Sequence, residues 1–349
     1  MPGRRVNIGV IGAGGIARRK TIPAMRKARN CRLVAVMDVA NVEDVAREFQ
    51  VPGCYTRAED LVADPQVEAV YIASPVHLHL KHIALAASHG KHVLCEKPLT
   101  LDARQGREAV RVCRRHKVVL QEGYMMKFHG AHTRIRELIG AGMLGRIVYM
   151  RAQLSCWYPP IPGAWRQKLK TGGGGSLIDM ATHLFDLLEF LSHDRITRVA
   201  SLIARLIQKY ESEDASTTLL EFAGGAQATV DSFFCIPDAA SKTRLEIYGS
   251  RGGILTEGTI GQGAGGRLQG IFGLGEAAYD ATQNKDVQAG FGAIPFRRVN
   301  PYPAECQYFA DCIASGRDPE INDGQHALHI LRVTERAYES CRKGRILKV

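Results

Sequence analysis

The amino-acid sequence predicts a two-domain α/β protein: a doubly wound parallel sheet first, then an α+β domain built on a mainly antiparallel open sheet. Three observations carry this. Over the first 125 residues, short β-branched runs alternate with stretches of helical spacing, the pattern of parallel strands crossed by helices. Beyond about Phe128 an apolar helical run gives way to segments that alternate polar and apolar residues, as half-buried antiparallel strands do. At 349 residues the chain also exceeds what one hydrophobic core organises. The expected domains are 1–127 and 128–349, with the closing helices able to pack back on the first.

In the first domain the strand candidates are Asn7–Ile11, Leu33–Met37, Val70–Ala73, His92–Cys95 and Val118–Gln121. Helices are expected at Val42–Phe49, Leu80–Ser88 and Asp102–His116, the last with Thr100 as its N-cap and Asp102 in its first turn. In the second domain, Ala131–Ile139, Leu177–Leu191, Tyr302–Ala314 and Gln325–Arg342 read as helices. Arg198–Ile207, Ser216–Phe222, Ala226–Phe234 and Thr243–Tyr248 read as strands. The glycine-rich stretch Gly252–Gly292 lacks clear periodicity and is expected to form loops, turns or an extended arm. Apolar residues alternate through Ala226–Phe234 and call for cover, which a homodimer or homotetramer would supply by symmetry.

Composition narrows the function classes. The chain is 45% hydrophobic and 23% charged, as ordinary globular proteins are, with no low-complexity tract. No apolar run reaches the roughly 18 residues of a membrane span, and Met1–Val6 lacks the apolar stretch of a signal peptide. A cytoplasmic chain is therefore expected, without a membrane partner. The nine cysteines are scattered and never in Cys-x-x-Cys spacing, which argues for structural thiols. The net charge of +11 is spread along the chain, with no basic run interleaved with aromatics, so nucleic acid is not expected as a partner.

The strongest motif is Gly12-Ala13-Gly14-Gly15-Ile16-Ala17, a G-x-G-x-x-A turn placed straight after a strand and at the mouth of a helix. Gly12 makes the tight turn, Gly14 lets the backbone approach a pyrophosphate, and Ala17 permits close helix–strand packing; Gly15 and Ile16 complete the turn. The helix N-terminus then offers unpaired N–H groups to phosphates. This is the signature of a Rossmann dinucleotide site. Asp38 ends the second strand, where a carboxylate accepts the adenosine ribose hydroxyls and repels a 2′-phosphate. NAD is favoured over NADP, although Arg47 or Arg57 could still approach the site in the fold.

Further candidates lie at the carboxyl edge of that sheet, where open α/β domains bind ligands. Ser74-Pro75-Val76-His77-Leu78-His79 follows one strand, and Ser74, Pro75 and His79 are assigned to the cofactor. His77, His79 and His82 have no complementing carboxylate or cysteine nearby, so no metal is expected. Cys95-Glu96-Lys97-Pro98 follows the next strand, and an ammonium there can stabilise a developing alkoxide. After the run Gly172–Gly175 come Asp179 and His183, four residues apart and so on one helical face. A carboxylate beside an imidazole fixes its tautomer and raises its basicity, as a general base for alcohol oxidation requires.

Taken together, Gly12–Ala17, Glu96-Lys97-Pro98 and Gly173-Gly174-Gly175 followed by Asp179-x-x-x-His183 resemble the glucose-fructose oxidoreductase, inositol dehydrogenase and rhizopine-catabolism (Gfo/Idh/MocA) family. The resemblance extends to Gly90–Val93, Gly123–His129, Tyr302, Phe309 and Asn322-Asp323-Gly324. It implies a Rossmann domain, an α/β domain whose open sheet mediates oligomers, NAD or NADP, and no metal. It further implies Lys97 as catalytic lysine, Asp179 as substrate-binding carboxylate and His183 as the proton-transfer group. Glu96 and Lys97 also border the cofactor, and Tyr124, Trp165 and Arg166 the substrate. Met180-Ala181-Thr182 departs from the smaller residues many members carry there, and the glycine-rich segment near residue 260 is enlarged. The expected reaction interconverts a secondary alcohol and a ketone on a sugar, cyclitol or related polyol by hydride transfer. A sugar-nucleotide or amino-cyclitol dehydrogenase, or a catalytically silent NAD(P)-binding regulator, remains open.

Overall fold

The computed structural model describes residues 4–274 and 290–349. It divides into two compact units. One comprises the chain up to Met125 with Ile161–Gly174 and Tyr302–Glu335; the other comprises Met126–Pro160, Gly175–Pro301 and Arg336–Val349.

The first unit is built on strands β1 (Val6–Ile11), β2 (Cys31–Met37), β3 (Gly53–Tyr55), β4 (Ala69–Ile72), β5 (His92–Glu96) and β6 (Leu120–Gly123). They form a parallel sheet in the order β3-β2-β1-β4-β5-β6, the order of a dinucleotide-binding doubly wound fold. Both faces are covered, and β4 shows how: Ala69 and Tyr71 enter one core, Val70 and Ile72 the other. The helix Pro301–Ser315 contributes Phe309 and Ala310 to the first of these cores, and Ala327, Leu328 and Leu331 belong to the second. This double burial is why the strands read as unbroken apolar runs. At the helix Ala103–Arg115 the cap differs from expectation. Asp102, rather than Thr100, is the N-cap, its Oδ1 accepting the Gln105 N–H at 2.7 Å, while the Thr100 hydroxyl donates to the Asp102 carbonyl. A carboxylate reaches that N–H from the extended backbone of Asp102, and it also suits the positive end of the helix dipole.

The second unit carries a nine-stranded sheet of β7 (Ile147–Ser155), β8 (Ile196–Ala204), β9 (Ala215–Phe222), β10 (Gln227–Phe233), β11 (Arg244–Gly249), β12 (Gly252–Glu257), β13 (Arg267–Phe272), β14 (Gly292–Ala293) and β15 (Leu347–Lys348). The order is β14-β13-β12-β11-β7-β10-β9-β8-β15, antiparallel throughout except that β10 runs parallel to β7. One face is the core: Met150, Ala152, Ala228, Val230, Leu245 and Ile247 are buried there. The turn Leu177–Ala181 and the helix Thr182–Ser192 pack on the sheet.

Two expectations are corrected. Most of the apolar residues alternating through Ala226–Phe234 are covered within their own unit, since Ala228 and Val230 face the core and the outward set is Gln227, Thr229, Asp231 and the half-buried Phe233. The stretch Gly252–Gly292 is not simply loop: it contains β12 and β13, and its residues 275–289 lie outside the described part. Glycines at Gly252, Gly253 and Gly270 erase the period-2 signal without preventing the ladder, because pairing uses backbone groups alone.

Candidate active site

In the first unit the glycine turn is shaped by close approach. Gly12 adopts φ +85°, and a Cβ there would lie 2.6 Å from the Ser74 nitrogen, so only glycine fits. Its N–H and that of Ala13 donate to the Met37 carbonyl at 2.9 and 3.0 Å, tying the turn to the end of β2. The Gly14 N–H donates to Asp38 Oδ2 at 2.9 Å, and Val39 N–H to Asp38 Oδ1 at 2.7 Å. Each carboxylate oxygen keeps accepting capacity beyond that one bond. Gly15 turns its bare Cα toward open space: a Cβ at that position would meet nothing within 4 Å. The chain then enters a π turn, Ala17–Thr21, before the helix Ile22–Lys27.

These residues open onto a cavity of about 510 Å³ lined by Gly12, Gly14, Gly15, Asp38, Ser74 and Pro75. Trp165 lines the same cavity. The donor set fits a dinucleotide: a glycine turn with an open face, a helix start behind it and a carboxylate at its edge with lone pairs to spare for hydroxyl donors. Arg57, Lys81 and His82 also line the cavity, and the sequence singled out neither Lys81 nor Thr56, which lines it too. Arg57 is drawn to Glu59 and Asp60 at 3.9 Å each, and Lys81 to Glu59 at 3.6 Å. The cations beside Asp38 are thus partly neutralised. Arg47 does not line the cavity; it pairs with Asp44 on the helix Val42–Phe49.

Other predicted cofactor residues sit behind this surface. Ala17 is fully buried and packs the helix start against the core. Ile16 precedes the π turn and does not line the cavity. His79 is only 1% exposed, its ring between the carbonyls of Ser74 and Pro98 at 2.8 and 3.0 Å. Burial pulls its pKa down to about 4, so the neutral ring donates to one of them. Its place is to brace two turns rather than to line the cavity. His82, likewise held near 4 by burial, bonds Ser74 Oγ at 2.9 Å. Among the described residues no group of His, Cys, Asp and Glu could hold a metal ion.

Glu96 and Lys97 leave the end of β5, both half-buried. Burial raises the Glu96 carboxyl, while the Tyr71 hydroxyl and the charges of Lys97 and Arg166 oppose that rise. Arg166, its guanidinium 4.3 Å from the Trp165 ring centre, therefore shares a neighbourhood with Glu96. Tyr124 is 1% exposed, and its carbonyl accepts from Asn322 at 3.0 Å.

In the second unit Asp179 and His183 occupy one continuous helical run whose start is not α. Leu177–Ala181 is a π turn, and the α-helix begins at Thr182. Asp179 is half-buried, and His183 is 9% exposed. The run is anchored by Glu213: its Oε1 accepts the Leu177 N–H at 3.1 Å and the Tyr338 hydroxyl at 2.8 Å, and its carbonyl accepts the Ser176 N–H. Gly175 passes so close that a Cβ there would meet the Glu213 carbonyl oxygen at 1.8 Å. One turn beyond His183, the buried Asp186 pairs with buried Lys127 at 2.6 Å. Asp179 also faces Cys156, whose thiol burial and nearby carboxylates push up to about 12.

Residues 6–124 match the oxidoreductase family with an NAD-binding Rossmann fold, and residues 132–255 match the GFO/IDH/MocA C-terminal domain. A 1,5-anhydro-D-fructose reductase from Ensifer adhaerens is 32% identical over 73% of this chain and 76% of that protein. The chain belongs to the Gfo/Idh/MocA family. It is an oxidoreductase whose first unit is an NAD-binding Rossmann fold. The scyllo-inositol 2-dehydrogenase (NAD(+)) of Bacillus subtilis is 27% identical over 91% of this chain and 89% of that family member. An aldose-aldose oxidoreductase from Caulobacter crescentus, solved with glycerol, shares the fold at a TM-score of 0.88 and 22% identity, covering 99% of this chain and all of the other. No helix among the described residues is long and apolar enough to cross a membrane.

Proposed function

We propose that the protein interconverts a secondary alcohol and a ketone on a ring sugar or cyclitol, using NAD in preference to NADP. The observation that carries this is the convergence of Gly12, Gly14, Gly15, Asp38 and Ser74 on one cavity in a chain of this family. The named relatives act on an anhydro-sugar and an inositol, which supports the substrate class.

His183 takes the hydroxyl proton, Lys97 stabilises the alkoxide, and Asp179 orients substrate and imidazole. An imidazole that can accept a proton and a lysine amine beside the reacting oxygen are the group types these duties call for. Gly12, Gly14, Gly15, Asp38 and Ser74 would hold the dinucleotide, which would supply the redox capacity for interconverting alcohol and ketone by hydride transfer. Trp165 and Arg166 border the substrate. All nine thiols are free, which supports a reducing, cytoplasmic location.

The outward face of the second sheet supports a homodimer or homotetramer. Leu202 and Leu219 stand exposed on adjacent strands, and Ile346 lines a shallow hollow of about 170 Å³ with Leu219, Tyr149 and Thr229. Light scattering should give a multiple of 38.3 kDa at micromolar concentration, and Leu219→Glu should lower it; a wild-type monomer removes this part.

Incubation with NAD and a panel of polyols, aldoses and sugar nucleotides, followed at the nicotinamide absorbance, tests the activity. Turnover with a ring polyol or sugar is expected. Tight NAD binding without turnover on any of them would replace the enzyme by a regulator.

A further inference from the structure

A single buried hydroxyl joins two motifs of the first unit. Tyr71, on β4, is completely buried, and its phenol oxygen lies 2.5 Å from Glu96 Oε1 and 2.9 Å from Thr21 Oγ1. Thr21 closes the π turn that follows the glycine turn, and Glu96 precedes Lys97. An ionised carboxylate only accepts, so Tyr71 donates to Glu96 and the Thr21 hydroxyl donates to Tyr71. The other Glu96 oxygen accepts the Lys97 N–H at 3.3 Å. The chain Thr21, Tyr71, Glu96 therefore runs from the dinucleotide turn to the backbone of the lysine.

The surroundings of Glu96 set what this bond does. Lys97 and Arg166 face it as cations. From β5 and the helix Pro301–Ser315, Cys95, Tyr302 and Cys306 face it, all pushed up by burial and therefore neutral. The carboxylate of Glu305 acts on Tyr71 and Tyr302 from the same helix. Burial favours the neutral carboxylic acid, and a hydrogen bond donated to the carboxylate favours the ion.

We propose that the Tyr71 hydroxyl is a positioning group for Lys97, holding Glu96 as an aligned carboxylate next to the lysine and tying it to the helix behind the glycine turn. This rests on the reading of Lys97 as the alkoxide-stabilising group. With Glu96 ionised, the lysine keeps a fixed counter-charge and one orientation. Without the phenol, Glu96 takes up a proton at higher pH, and the lysine loses both.

The test is a double-mutant cycle on the full chain with the substrate found by the panel. Tyr71→Phe removes one oxygen and should lower turnover about tenfold, with KM and NAD affinity nearly unchanged. Its acid limb in the rate profile should move to higher pH, since activity requires the ionised carboxylate. Glu96→Gln should reproduce the lowered turnover and flatten that limb, which keeps the idea testable if Tyr71→Phe folds poorly. In a Lys97→Ala background, Tyr71→Phe should cost nothing further, the signature of two residues acting as one unit. An unshifted limb in both variants, or an undiminished tenfold loss in the Lys97→Ala background, would overturn the inference. Near-normal turnover of Lys97→Ala alone would instead overturn the reading beneath it.

Discussion

The two glycine-rich motifs open their helices in the same way and use the opening for opposite purposes. The turn at Gly12–Gly15 leads into the π turn Ala17–Thr21, and the run at Gly172–Gly175 leads into the π turn Leu177–Ala181. In the first, Gly15 faces open space beside a cavity. In the second, Gly175 presses on the Glu213 backbone, and the Glu213 carboxylate takes the Leu177 N–H. At the first helix start Asp38 takes the Gly14 N–H and the face at Gly15 stays open to an anion; at the second, Glu213 takes the Leu177 N–H and its backbone fills the space beside Gly175. Glycine before a helix thus marks close approach in both places, but only the neighbouring residues decide whether a phosphate or a protein group approaches.

Exchanging the glycines should separate these uses most sharply. Gly175→Ala forces a methyl against a carbonyl and should destabilise the fold by on the order of 3 kcal/mol or more, read as a large fall in melting temperature. Gly15→Ala meets no atom and should cost only about 1–2 kcal/mol for the left-handed backbone, while NAD affinity measured by calorimetry falls at least as much. Equal melting temperatures for the two variants would erase the contrast.

Catalysis comes next in size. Lys97→Ala and His183→Ala should each lower turnover about a hundredfold with little change in melting temperature or NAD affinity. Asp179→Ala should raise KM as well. A His183→Ala protein that melts early but turns over normally would make the imidazole a packing group.

Glu213 offers a smaller test of the closed helix start. Glu213→Ala leaves the Leu177 N–H and the Tyr338 hydroxyl without this acceptor and should cost about 1–3 kcal/mol in denaturant titrations. Glu213→Gln keeps an acceptor there. Burial raises the Glu213 carboxyl above its ordinary value of 4.5, so its contribution to stability is fully present below that pH and declines as pH rises through the raised value. The Gln variant should lack that decline. A wild-type protein and Gln variant with parallel stability–pH curves would contradict the assigned burial.

The smallest expected effect concerns the open start. Asp38→Ser should narrow the preference for NAD over NADP by about tenfold, near 1.4 kcal/mol. If the wild type binds NADP the more tightly, Arg57 and Lys81 outweigh Asp38, and Arg57→Ala should then restore NAD.

Much of this was legible because it is local. The G-x-G-x-x-A turn, Asp38 at the end of β2 and the lysine at the end of β5 sit where strand and turn patterns put them. What escaped had no local period. β7 is the central strand of the second sheet, yet its buried residues are only Met150, Ala152 and Ser155 among exposed or half-buried neighbours. β3 spans three residues. Thr56 and Lys81 reach the cavity from segments whose sequence carries no ligand signature.

By itself the sequence determined the parallel sheet, the dinucleotide turn and the family, because each depends on residue types at fixed short spacing. Tertiary structure alone decided that His79 braces two turns, that Ala228 and Val230 point inward, and that Glu213 closes the second helix start. Those outcomes turn on which partner the packed chain sets beside each group, as when Glu213 takes the N–H of Leu177 36 residues away, and a buried group is held by whichever partner the fold brings within hydrogen-bonding or packing distance.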